Sequence, residues 1–233
     1  MHRHTTAIAA VLGLTALALT GCSHAPAPTA SATPSATADH QKKAANSAEP
    51  SAPLSSGALR ERLLDESDLG AGYLRKPERA SDNDDVTVTG CPALEKLGGD
   101  AAAGGSLDFP RRAKATFSHT GSGNSEVSEE LYSDTASELS KNTGRIFDAM
   151  TSCSSYQVVA GSTPVDITVH KLPAPQLGDE RWSLQMTFTT GGRSTVTKET
   201  AVRTGTTVVL VAGSPGLVDT HLDKALTKAR GAR

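Results

Sequence analysis

The chain opens on a short basic stretch, His2-Arg3-His4, followed by an apolar run over residues 7–19. A helix through that run is too short to cross a bilayer comfortably, which takes roughly 20 apolar residues. Its length and flanks are those of a secretory signal peptide. Small residues, Thr20-Gly21, close the run, and Cys22 follows at once. Residues 1–21 are therefore expected to be removed on export. Whatever folds downstream does so in an oxidising exterior, where disulfides persist.

The sequence Leu19-Thr20-Gly21-Cys22 resembles the lipobox of bacterial lipoproteins. That resemblance implies that the Cys22 thiol takes a diacylglyceryl group and that cleavage leaves Cys22 as the first residue. Acyl chains such as palmitate then hold the chain: one anchors marginally, two anchor stably. The expected location is the outer face of the cell membrane, with the lipid on Cys22 as the only membrane attachment. No later segment is apolar enough to span. The richest, residues 206–212, has the length of a strand. The alternative is an ordinary secretory peptide in which Cys22 is incidental.

Residues 22–56 hold the lipidated cysteine and a linker of alternating Ala, Pro, Ser and Thr, as in Ser31-Ala32-Thr33-Pro34-Ser35. Such a segment buries too little apolar surface to offset its ordering entropy. It is expected to act as a disordered tether, with an average reach on the order of 30 Å. A Ser/Thr/Pro-rich stretch is also a candidate sugar acceptor, and an unmodified spacer is the plainer reading.

Residues 57–233 read as one folded domain, long enough to bury a single core. Leu59 and Leu63 lie four apart on a short helix that Gly70 and Gly72 break. Pro92 opens a second helical stretch over residues 93–97. A strand follows over residues 113–119, and residues 126–132 can pair with it across Gly121-Ser122-Gly123-Asn124. Thr135 and Glu138 have capping-box spacing, and Ala136, Leu139, Thr143, Ile146 and Met150 recur at helical steps. Strands then alternate at Tyr156-Val158-Ala160, Val165-Ile167-Val169 and Trp182-Leu184-Met186-Phe188. Gly191-Gly192 and Thr204-Gly205 offer hairpin turns. A last helix carries Val218, Leu222, Ala225, Leu226 and Ala229. Hairpin-linked strands with interspersed helices predict an α+β fold around an antiparallel sheet.

With Cys22 assigned to the lipid, Cys91 and Cys153 remain, an even pair in an oxidising setting. A disulfide between them is expected. A metal site is the alternative, but two isolated cysteines lack the paired spacing of a zinc centre.

The order Asp68-Leu69-Gly70-Ala71-Gly72-Tyr73, then Cys91, a strand pair, a helix and Cys153 resembles the extracellular sensor-domain family of the mycobacterial kinase PknH. Leu177-Gly178-Asp179-Glu180 and Gly205-Thr206-Thr207-Val208-Val209-Leu210 before a closing helix extend the similarity to about residues 57–230. The family includes free actinobacterial lipoproteins without a kinase. The resemblance implies a curved antiparallel sheet with flanking helices around a groove for an extracellular ligand. The kinase's domain has two disulfides and this chain can form one, so no ligand-contacting residue is carried over.

Several chemistries find no support. Net charge is −2, with no Lys/Arg cluster, and aromatics are 3 % of residues; the footprint of a nucleic-acid binder is missing. His119, His170 and His221 stand singly, without an HExxH pair, and no G-x-S-x-G surrounds a serine. No catalytic residue, metal site or cofactor is implied. Asp82-Asn83-Asp84-Asp85 begins like a calcium loop, but Val86 takes the fifth position and no glycine follows, so a solvated loop is expected. Glu129 shares a strand phase with Val127 and Leu131. It is read as a charge at a sheet edge, with a groove-lining carboxylate as the alternative. Trp182 and Met186 read as core.

The expectation is a membrane-tethered, non-catalytic domain that binds an unidentified envelope ligand or protein. A lipid or glycolipid carrier is the runner-up and needs a deep apolar cavity. An envelope hydrolase is the third reading and needs a convergent Ser/His/carboxylate cluster.

Overall fold

The structure, a computed structural model, describes residues 52–78, 86–98, 107, 109–121 and 125–231. The expected leader, Cys22, nearly all of the expected tether, the acidic residues 82–85 and residues 122–124 of the expected turn lie outside them. The described residues fall in one compact unit, Ser47–Arg233.

The architecture is an open α+β fold around nine antiparallel strands. These are β1 (Tyr73–Lys76), β2 (Val86–Thr89), β3 (Arg112–His119), β4 (Ser125–Ser133), β5 (Ser155–Ala160), β6 (Thr163–Lys171), β7 (Glu180–Thr190), β8 (Arg193–Thr204) and β9 (Thr207–Gly213). Their spatial order is β1-β3-β4-β9-β8-β7-β6-β5-β2. The helices are α1 (Ser56–Arg60), α2 (Glu66–Leu69), α3 (Pro92–Glu95), α4 (Ala136–Thr151) and α5 (Pro215–Ala229).

The long hairpin β7–β8 turns at Gly191 and Gly192, both at positive φ, as a tight turn between twisted strands requires. Helix α4 starts where its pattern predicts: Thr135 accepts the N–H of Glu138 at 3.2 Å. The expected helix around Leu59 and Leu63 is instead two short ones, α1 and α2. Asp65 caps α2 through Ser67 N–H and Asp68 N–H, and such a cap starts a new helix. Strands β1 and β2, at the two sheet edges, have no counterpart in the sequence reading.

Two cores form, one on each face of the sheet. On β9, Val208 and Leu210 point into a core with Leu139, Phe147 and Met150 of α4. Val209 and Val211 point the other way, into a core with Leu59 and with Leu222 and Leu226 of α5. Met186 is fully buried and Trp182 packs at the border of the α4 core, as expected. The Cys91–Cys153 disulfide forms, joining the start of α3 to the end of α4 across 62 residues. Burial of several leucines and valines on each face, at about 1.5–3 kcal/mol per side chain, holds both helix layers on the sheet.

Candidate functional site

The α4 face carries a groove beyond the end of the helix. It comprises two adjoining cavities that share Thr116. One, of about 320 Å³, is lined by Thr116, Ser128, Met186, Phe188, Thr197 and Glu199, among others. Its walls come from five neighbouring strands, β3 to β7 in spatial order, so the sheet curls toward this side. The second, of about 590 Å³, is lined by Arg75, Lys76, Glu78, Lys114 and Thr116 on the β1–β3 edge.

Strand register places the charges. Lys114 lies opposite Glu130 across β3–β4, and Ser128 and Glu199 flank Ala212 of β9 from its two sides. Lys114 Nζ meets Glu130 Oε1 at 2.6 Å. The Tyr132 hydroxyl donates to Glu130 Oε2 and accepts the N–H of Leu107 at 2.9 Å. Lys76 pairs with Glu126 at the rim. These carboxylates have their donors.

Glu199 differs. Only 5 % of it is exposed, it lines the cavity, and among the described residues none donates it a hydrogen bond. Burial, and then the Glu130 charge, push its carboxyl up to about 7, with Lys114 pulling the other way. Sequence reasoning passed over it. The available signal was a charged pair, Lys198-Glu199, in the middle of a strand rather than at its ends.

The other residues singled out by sequence lie elsewhere. Glu129 is 1 % exposed and sits on the face opposite the groove. Neither reading of it holds: β4 lies third from the sheet edge, between β3 and β9, and Glu129 Oε2 accepts the N–H of Leu64 beneath the α1–α2 link at 2.6 Å. A loop N–H laid over the sheet supplied the partner that made its burial tolerable. His170 is exposed. His221 is buried, its Nε2 2.6 Å from the Tyr73 hydroxyl, and the His119 ring stacks at a tilt against Tyr73 with centroids 4.7 Å apart. Among the described residues no group of three or more His, Cys, Asp or Glu could hold a metal ion, and no helix is long and apolar enough to cross a membrane.

No protein-family model matches the chain, and no curated protein matches it. Among solved structures it is similar to the extracellular domain of PknH from Mycobacterium tuberculosis, at 16 % identity and a TM-score of 0.58. That similarity covers 77 % of this chain and 98 % of that one. A putative uncharacterised protein from Mycobacterium smegmatis, an Rv0999 ortholog, is similar at 12 % identity over 70 % of this chain and 92 % of that one, with a TM-score of 0.41. With its sheet, flanking helices and disulfide, the folded part of the chain shares the fold of the PknH extracellular domain.

Proposed function

We propose that this chain is a lipoprotein on the outer face of the cell membrane whose folded domain binds a ligand or partner without transforming it. The observation that carries the reading is the open groove on the α4 face, with the Glu199 carboxyl in its wall and no hydrogen-bond donor to it among the described residues. The Glu199 carboxyl faces the open groove, where a ligand can meet it in place of water. Similarity in fold to a domain described as extracellular, and a disulfide suited to an oxidising compartment, support placement outside the cell. Lipidation at Cys22 would supply the anchor and the residues between it and Ala52 the tether, the expected linker end at residues 52–56 being packed on the domain instead, with no nucleic-acid partner.

A lipid or glycolipid carrier is the second reading. In its favour is a cavity of about 760 Å³ whose lining includes Ala52, Pro53, Leu54, Val209 and Leu226. Native mass spectrometry of the protein purified from its own host separates the two. A co-purifying lipid would replace the first reading with the second; a small polar ligand supports the first. Fractionation tests the anchor: Cys22→Ala should move the protein out of the membrane pellet, and unchanged fractionation would refute lipidation.

A further inference from the structure

We propose that the groove recognises a ligand bearing a primary ammonium group on a short apolar stem, with Glu199 as its counter-ion. This rests on the ligand-binding reading above and specifies its chemistry.

The argument begins with which charges are already matched. Glu130 takes both Lys114 and Tyr132, Lys76 takes Glu126, and Lys198, the neighbour of Glu199 on the opposite face, takes Asp219 of α5. One carboxyl in the cavity wall has no donor. Lys114 is near enough to influence it, but its ammonium is engaged 2.6 Å from Glu130. A buried carboxylate is tolerated when it gains a cation and hydrogen bonds. The smaller cavity has room for a cation of ligand size, and among the described residues no side-chain cation pairs with Glu199; Arg75, on the neighbouring edge, lies over the Phe117 ring instead.

The surroundings select the kind of cation. Thr116, Ser128 and Thr197 line the same cavity and offer hydroxyl oxygens that accept hydrogen bonds. An ammonium has three N–H donors and no acceptor, so one carboxylate with two or three hydroxyls suits it. Met186 and Phe188 complete the wall. A thioether and a ring edge or face make a good bed for a methylene stem, and an aromatic face also attracts a cation. A neutral sugar would offer hydroxyl donors but no counter-charge, and an anion in this cavity would meet Glu199 with the nearest lysines, Lys76 and Lys114, already paired to Glu126 and Glu130.

The test uses the purified full chain and three probes of matched length: cadaverine, 1-pentanol and valerate. Amide shifts of Ser128, Thr197 and Ala212 report binding in the groove. Cadaverine should shift these amides saturably, while pentanol and valerate should do so weakly or not at all. Glu199→Gln keeps the shape and removes the charge, so it should weaken cadaverine by roughly tenfold or more. The amide spectrum of the free variant establishes that it is folded. Should Glu199→Gln not fold, Thr197→Val, which removes one acceptor at the same cavity, serves in its place and should weaken cadaverine several-fold. Equal binding of pentanol or valerate, or full cadaverine affinity in the variant, would overturn the ammonium assignment and leave the binding groove standing. If none of the three probes moves these amides, the ammonium assignment falls; if native mass spectrometry also finds no ligand, the binding reading falls with it.

Discussion

The backbone N–H of Leu64 donates to Glu129 Oε2 at 2.6 Å, fastening the link between α1 and α2 to the middle of the sheet. The other oxygen, Oε1, is buried without a partner. Burial pushes the carboxyl up to about 8, the Leu64 hydrogen bond and the Lys228 charge pull down, Asp68 pushes up and Arg75 pulls down. At neutral pH the group therefore keeps its proton.

Glu129→Gln mimics that protonated form and retains an oxygen for Leu64. We expect it to match the wild type in urea unfolding near pH 4 and to exceed it increasingly from pH 4.5, where the unfolded wild-type carboxyl ionises, up to about pH 8. Glu129→Ala orphans the Leu64 N–H, at a cost of about 1–3 kcal/mol, and leaves a cavity besides. Equal losses for Gln and Ala would show that the hydrogen bond contributes nothing.

Stability should fall as the solution becomes alkaline. Glu129 and Glu199, raised from 4.5 to about 8 and about 7, bind a proton more tightly folded than unfolded. Their contribution is complete below pH 4.5 and is lost as pH rises through those folded values. Other groups act with the opposite sign at lower pH. Asp65, held down chiefly by Lys228, and Glu180, held down chiefly by Arg203, lose their contribution as pH falls through the carboxylate range. His221, depressed by burial and then by His119, adds to that acid-side loss below 6.5. Asp65 is half exposed, so solvent screens its part. The melting temperature, followed by circular dichroism, should drop from about pH 5 to about pH 8, and should drop less in Glu129→Gln with Glu199→Gln. An unchanged slope in the double variant would point to other groups.

The disulfide closes 62 residues, which the chain-entropy model values at about 4 kcal/mol. Replacing Cys91 and Cys153 together by serine should lower the unfolding free energy by that order. Reduction of the native chain should shift its denaturant midpoint in the same direction.

Gly213 ends β9 at φ 139°, and a Cβ there would lie 2.1 Å from the Glu126 carbonyl oxygen. Backbone atoms on both sides of that contact cannot move aside without breaking the β4–β9 pairing of Val127 with Gly213. Gly213→Ala should destabilise by about 1–3 kcal/mol. Because Gly213 also lines the smaller cavity, it should shift the amides of Ser128 and Thr197 as well. A variant as stable as the wild type would contradict this packing.

Strands whose two faces differ were legible in the sequence. In β3, Ala113, Ala115 and Phe117 are buried while Lys114, Thr116 and Ser118 are half-buried, and the alternation of the residues says so directly. Helix α4 was legible for the same reason, through its cap and its spacing. The short edge strands were not. Four residues such as Tyr73-Leu74-Arg75-Lys76 carry too little pattern, and a partner far along the chain makes them strands. Glu129 was misplaced because its phase was read without knowing that β4 lies inside the sheet.

Residue order alone determined the even pair of cysteines and the α+β class, and it carries the expectation of an export signal and a tether, since each depends on local composition or on short-range period. The tertiary structure decided which charges are buried. In the centre of the sheet, Glu129 and Glu130 on β4 and Glu199 to Val202 on β8 are all buried, because α4 covers one face and α5 the other. Where both faces are covered, period-two alternation no longer separates inside from outside. Whether a buried carboxyl there meets a backbone N–H, a lysine or an open groove depends on residues far away in sequence that folding brings alongside it.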